Sequence, residues 1–455
     1  MKKCRSIVCM ILAIVFVLTG CGANKEQVAD NGIGTKPYSG EQASDYSQEK
    51  EKNGYTYVPP EMKGEITISC LWEEEFLSDA AERFMDMYPD VKITINSYKE
   101  SSGANMIADY QTYLNTKIMT GDAEDIIFTN FLPIEKYSEM GVFEDISKFV
   151  EQTPEFNDEN YYMNVIWSAK RSDGQLYLLP YMARFDTLAL SDTLMTEQGQ
   201  SGQYAINSDF VSAMELAESL VSGTGKQNVY LLQQNEVQYM DMLVQNSLSQ
   251  FLDIEGKTSN FDSDAYIQLL QKVQELGNKG YLSPNIDFYN TEYYFASTID
   301  YDVQAAFLNL DHNSNCYPVR DSQGNVIIKS NSCIAMNSAC ENKELVWEFM
   351  KYLLSEEIQS LPSIKGPAVN KNGLIAGANR FYNFYKSEDG NVAGTEEDYL
   401  KLLESWILEV NACDTLDSTI IALIEEENMK FFEGKQTAQQ TGSNIQKKIS
   451  QYLNE

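Results

Sequence analysis

Gly64-Glu-Ile-Thr-Ile-Ser-Cys-Leu71, then Phe76-Leu-Ser-Asp-Ala-Ala-Glu-Arg-Phe-Met-Asp-Met-Tyr-Pro89, then Val91-Lys-Ile-Thr-Ile95: these three stretches decide the fold class. From Ile66 to Leu71 apolar and polar residues alternate, as in a strand with one buried face. In the second stretch Phe76, Leu77, Ala80, Ala81, Phe84, Met85 and Tyr88 recur at three- and four-residue spacing, which is one face of a helix. Pro89 closes it, because proline disfavours helical backbone in the residue before it. Val91–Ile95 alternates again. The pattern then predicts a helix over Met106–Met119 and a strand over Asp125–Thr129. Strand, helix, strand, helix, strand implies crossover connections and a mainly parallel sheet. Such sheets bind ligands beyond the carboxyl ends of their strands.

Working outward, the α/β character continues with more helix. Amphipathic helices are expected over Phe210–Val221, over Ala265–Leu276 with Gly277 as its stop, and over Glu344–Leu354 with Asn342 as its cap. Two more are expected at about 415–432 and 436–454. Trp347 and Trp406 fall on such helices and are expected in the core. A chain of 455 residues is too long for one ordinary core and long enough for two lobes.

Charge and composition exclude several functions. The formal net charge of -33 repels phosphate backbones, so nucleic acid is not an expected partner. The single histidine, His312, leaves no histidine-rich metal site and no ordinary Ser-His-Asp or Cys-His centre. No metal and no cofactor is expected. Gly256-Lys-Thr258 lacks the first glycine of a phosphate loop, since Phe251 stands there, and Gly225-Lys226 fails likewise at Leu220. Cys70, Cys316, Cys333, Cys340 and Cys413 are an odd set that cannot all pair, and they are read as mainly buried small hydrophobes.

The amino terminus has its own logic. Lys2, Lys3 and Arg5 precede an apolar run, Ile7–Leu18, which is followed by Leu18-Thr-Gly-Cys21. A basic start, a short apolar core and small residues before a cysteine describe a secretory signal. The last four residues look like a lipobox, which implies cleavage before a lipid-modified Cys21. Residues 1–20 are thus expected to be a signal peptide. Residues 21–63, polar and without apolar period, are expected to be a disordered tether. As a flexible coil it would average ~35 Å end to end.

From Gly64 onward the motifs resemble, in order, those of extracellular solute-binding proteins of family 1, the lipid-anchored receptors of carbohydrate ABC importers. Ile66–Ile95 resembles the opening strand, helix and strand. Thr120-Gly-Asp-Ala-Glu-Asp-Ile-Ile127 resembles the family's Gly-Asp-x-Pro-Asp segment, with Glu124 in place of proline. Gly141-Val-Phe-Glu-Asp-Ile146, Asp173–Pro180, Asn260-Phe-Asp-Ser263, Ser338–Gln359, Gly366–Lys371 and Glu433–Gln446 follow in sequence. The tryptophan-threonine pair common before the helix near Asp209 is absent, and Ala205-Ile-Asn-Ser208 stands there.

The resemblance implies a two-lobed, periplasmic-binding-protein-like α/β fold with a hinge and an interlobe cleft. Residues 64–185 and 303–355 are expected in lobe one, and 186–302 and 356–455 in lobe two. It also implies a monomer that binds a carbohydrate, closes over it, and docks on an ABC transporter permease at the outer face of the membrane. Sugar recognition asks for aromatic faces and planar polar groups. The loops after strands and the hinge offer Trp72, Glu74, Asn130, Phe131, Tyr181, Arg184, Tyr230 and Asp311, with Gln233 and His312 beside the last two. Other readings are a peptide or polyamine receptor, a sensor component that presents its closed form to a kinase, and a glycosidase. For the glycosidase, 67 acidic residues make carboxylate pairs uninformative.

Overall fold

The computed structural model describes residues 60–98, 106–191, 209–223, 231, 234–254, 256–282, 297–299, 314–389, 394–414 and 417–454. Its strands are β1 Gly64–Cys70, β2 Val91–Ser97, β3 Ile126–Phe128, β4 Leu179–Pro180, β5 Thr187–Ser191, β6 Leu252–Asp253, β7 Thr258–Ser259, β8 Ser297–Ile299, β9 Ser314–Pro318, β10 Val326–Ile328, β11 Cys333–Met336 and β12 Val410–Cys413.

The opening stretches build the first sheet, in the order β2-β1-β3-β11-β4. β1 runs parallel to β2 and β3, while β11 is antiparallel to both β3 and β4. The helix Glu75–Met87 buries Phe76, Leu77, Ala80, Ala81 and Phe84, the face that its spacing predicts. The Gly-Asp-x-x-Asp segment has a visible purpose. Asp125 accepts hydrogen bonds from the Thr67 amide and hydroxyl, both at 2.8 Å, and so ties β3 to β1. Glu124, in the place of a usual proline, is buried and accepts from Asn96 Nδ2 at 3.0 Å and from Lys117.

The buried residues form two hydrophobic cores whose segments alternate along the chain. The first runs from Ile66 through Phe185, takes Val326–Ile358, and continues through Ile364, Tyr382, Trp406 and Val410. The second holds Phe210–Leu282, Tyr317, Val319 and Ile420–Leu453. This corrects the expected division after 355. The segment from Ile358 to Val410 belongs to lobe one, because its polar groups are anchored there. Gln359 bridges the Leu353 carbonyl and the Val369 amide, and Asn164 Nδ2 donates to the carbonyls of Ile407 and Val410. β12 then pairs with β10.

The hinge is the antiparallel sheet β8-β5-β9. The first crossing enters it at Thr187. The second is β9, along which Cys316 faces the first core and Tyr317 the second. The return to lobe one expected at 303 lies outside the described residues. The third crossing falls between Cys413 and Ser418, well beyond the position after Leu354 that the sequence suggested.

Local signals explain the remaining ends. The helix Asp264–Asn278 is capped by Ser263 and runs through Gly277. A side chain at Gly277 would collide with Glu236, so this glycine serves packing. The stop is Gly280, at φ +75, with Tyr281 N donating to Leu276 O and Gly280 N to Gly277 O. That pair of bonds is a Schellman motif. Asn342 begins its helix without a side-chain cap bond. Trp347 and Trp406 are core, and Trp347 Nε1 donates to Thr153 Oγ1 at 3.0 Å.

Candidate functional site

The carboxyl ends of β1, β3 and β4 open toward the junction of the lobes. Trp72 follows β1 and stays 38% exposed, an unusual state for so large an apolar ring. Its indole Nε1 donates to Glu74 Oε1 at 3.0 Å. The Phe131 ring stands edge-on to it, with centroids 6.0 Å apart and planes at 65°. Together they form a half-open aromatic corner with a carboxylate beside it.

Phe131 is held in an unfavourable backbone state. Its φ is +57, in the left-handed region that penalises a side chain with a Cβ. The surroundings impose it: the Phe131 carbonyl accepts from Gln111 Nε2 at 2.7 Å and from Ser418 Oγ at 2.8 Å. Gln111 belongs to lobe one and Ser418 begins the helix Ser418–Phe432 of lobe two. The strained residue therefore sits where the third crossing meets the first sheet. Strain retained at such a point marks it as a functional candidate.

The other candidates divide. Asn130 is buried and spends its amide on the Asn331 carbonyl at 3.0 Å. Tyr181 corrects its expected role as a cleft wall. It is fully buried, packed on Phe76 and Phe128 at 5.3 and 5.6 Å, because its turn of strand faces the sheet's helix layer. Burial, then the nearby Glu74 carboxylate, push its phenol up, against the pull of Arg184. Glu74 and Arg184 each lie within electrostatic range of the Tyr181 phenol. Arg184 is half-buried, lays its stem over Gly366, and makes no ion pair among the described residues. Tyr230, Gln233, Asp311 and His312 lie outside the described residues.

A second feature escaped the sequence reading. A pocket of ≈ 210 Å³ opens between the lobes, with Asp186, Lys329, Cys413 and Asp414 on one wall and Gln245, Asn246 and Ser249 on the other. Lys329 Nζ, just after β10, pairs at 2.6 Å with Asp186, just before β5. Asp414 accepts from the Ser330 amide at 2.8 Å and from its hydroxyl at 2.6 Å. Burial pushes the Asp414 carboxyl up, against Lys329 and these two bonds. The loop from Ser330 to Asn331 links the pocket to Asn130 and hence to the aromatic corner. No motif marks these residues; only the place of the third crossing, misjudged in sequence, would have found Asp414.

Among the described residues no cluster of three His, Cys, Asp or Glu side chains could hold a metal ion, and no helix is long and apolar enough to cross a membrane. Lobe-to-lobe contacts extend beyond the hinge: Lys136 Nζ lies 4.8 Å over the Tyr452 ring, and Lys257 Nζ is 3.6 Å from Glu139.

The sequence profile described as "Bacterial extracellular solute-binding protein" matches residues 72–360. No curated protein sequence matches the chain. Among solved structures, the sugar-binding protein MalE from Xanthomonas citri superposes with a TM-score of 0.57 at 13% identity, over 86% of this chain and 98% of that one. The cyclic alpha-maltosyl-1,6-maltose binding protein from Arthrobacter globiformis gives 0.53 at 14%, over 86% and 99%. An ABC substrate-binding protein from Listeria monocytogenes in complex with cycloalternan gives 0.51 at 17%, over 86% and 99%. These likenesses show a two-lobed binding-protein fold.

Proposed function

Given that the chain belongs to the bacterial extracellular solute-binding proteins, we propose that it binds a carbohydrate, an oligosaccharide in preference to a single sugar, between its lobes and delivers it to an ABC transporter permease. The observation that carries this reading is the exposed corner of Trp72 and Phe131 with Glu74 beside it. An aromatic face packs on the C–H patches of a pyranose, and a carboxylate accepts from its hydroxyls. Arg184, with no ion pair among the described residues, is placed as a donor. The structural neighbours that bind cyclic alpha-maltosyl-1,6-maltose and cycloalternan support the class of ligand.

The lobes close by rotation about the β8-β5-β9 hinge, as two-lobed receptors do. Closure follows ligand only through contacts that are better in the closed form. The reading contains no covalent step. The protein is held to the outer face of the cytoplasmic membrane by lipid on Cys21, acts as a monomer, and reaches its permease through the tether.

The test is a thermal-shift panel on the full-length protein with oligosaccharides of several linkages, monosaccharides, short peptides and spermidine. A ligand at 100 times its Kd adds about 2.7 kcal/mol of stability. A rise with one oligosaccharide class supports the proposal. A rise with peptides or spermidine alone refutes the substrate class.

A further inference from the structure

On the reading that the corner of Trp72 and Phe131 receives the ligand, we propose that Ser418 of lobe two and Gln111 of lobe one are its positioning residues, holding the Phe131 ring against Trp72. The turn that carries Phe131 does not hold itself. Leu132 N donates to Thr129 O at 3.3 Å, so residues 129–132 form a β-turn with Phe131 at its third position. A positive φ there, +57, is the type II pattern, which favours glycine or asparagine. A phenylalanine in that place is kept there by contacts from outside the turn.

The first half of the turn is fixed within lobe one. Thr129 Oγ1 donates toward the carbonyls of Ser330 and Cys333, at 2.5 and 2.9 Å, and Asn130 Nδ2 donates to the Asn331 carbonyl. The second half is fixed by a closed triangle. Gln111 Nε2 donates one hydrogen to the Phe131 carbonyl and the other to Ser418 Oγ, both at 2.7 Å. Ser418 Oγ donates its own hydrogen to the same carbonyl at 2.8 Å. Each hydrogen is used once, and both lone pairs of the carbonyl are filled. The direction of a carbonyl follows the ψ of its residue, because the peptide unit is planar. The triangle therefore holds the backbone from which the ring projects.

Its corners come from both lobes. Gln111 lies on the helix Met106–Thr120, whose Tyr110 and Leu114 enter the first core. Ser418 begins the helix whose Ile420, Ile424 and Phe431 enter the second. The same end of lobe two is held again beside the turn. Asp417 caps the helix by accepting from the Thr419 amide at 2.8 Å, and it also accepts from the Tyr452 hydroxyl at 2.6 Å. Lys136, on the helix Ile134–Glu139 that follows the turn, lies over the Tyr452 ring. The shape of the corner in lobe one thus depends on the seating of lobe two. Packing alone would ask only for volume at position 418, whereas the triangle asks for a hydroxyl.

The test reads the corner in full-length protein without ligand, so it does not depend on what the cleft binds. The near-UV circular dichroism of Trp72 is taken as the difference between a protein and its Trp72→Phe counterpart. Four backgrounds are compared: wild type, Ser418→Ala, Ser418→Thr and Gln111→Met, each checked for fold by far-UV dichroism. The wild-type band should reflect the Phe131 edge, whose centroid is 6.0 Å from that of Trp72. Ser418→Thr should keep the band, and Ser418→Ala and Gln111→Met should lose most of it. If Ser418→Ala does not fold, Gln111→Met decides alone. The proposal is overturned if the wild-type protein shows no Trp72 band, if the folded Ser418→Ala and Gln111→Met proteins keep it, or if Ser418→Thr loses it as Ser418→Ala does. Loss of the band on removing the hydroxyl, in a protein that no oligosaccharide stabilises, would bear out the positioning role while refuting the carbohydrate reading.

Discussion

Phe131 carries the most information of any single residue. A side chain in the left-handed region costs about 1–2 kcal/mol, and here the cost is maintained by hydrogen bonds from both lobes to its carbonyl. Phe131→Gly relieves that strain and removes the ring. Its stability should change by less than about 1 kcal/mol, while the Kd for oligosaccharide rises about tenfold or more; denaturant unfolding and calorimetric titration read the two effects separately. Tyr181 should behave in the opposite way. It fills the core between Phe76 and Phe128, so Tyr181→Ala should cost about 3–5 kcal/mol, and the molecules that still fold should bind as before. The contrast shows why two aromatics after neighbouring strands cannot be told apart by position. One residue of rotation along a strand moves a ring from solvent to core.

Among the elements, the helix Glu236–Ser247 contains a titratable group with a defined sign. Burial, then Glu425, raise the Asp241 carboxyl from 3.8 to about 7, against a hydrogen bond from Asn428. Between those values the folded chain keeps a proton that the unfolded chain has lost. Stability from this group therefore falls as pH rises from about 4 to about 7. Asp241→Asn should lose that slope, which denaturant unfolding at about pH 5 and about pH 8 compares directly. This helix was not anticipated from sequence, and neither was Lys371–Asp389, while Glu396–Ile407 was expected only as the helix that carries Trp406. The opening strands and helix were legible because Ile66–Leu71 and Phe76–Tyr88 repeat a clean period against a half-buried face. The unanticipated helices mix apolar and polar residues on their buried sides, as at Tyr239 beside Asp241 and at Asn428 on the facing helix. Gly277 misled for a related reason: it answers to the Glu236 side chain of a neighbouring helix, a demand no local pattern records.

At the scale of the molecule, two cores joined by a hinge were readable from length, period and the order of motifs. Their boundary was not, because Gln359 and Asn164 assign the segment 358–410 to lobe one through contacts distant in sequence. The same distance hid Lys329 and Asp414, which meet Asp186 and Ser330 only in the folded hinge. Trp72, Glu74 and Phe131 were all offered as candidates by sequence, since each follows a strand that periodicity locates. The central claim is that Trp72 stacks on an oligosaccharide between the lobes. Tryptophan fluorescence of full-length protein, titrated with the oligosaccharide that raises its Tm, tests this most directly, because Trp347 and Trp406 are buried, Trp167 is partly buried against the first core, and Trp72 is the most exposed of the four. The account predicts a saturable spectral change in the wild-type protein that is lost in a folded Trp72→Phe variant. The same saturable change in that variant would contradict it.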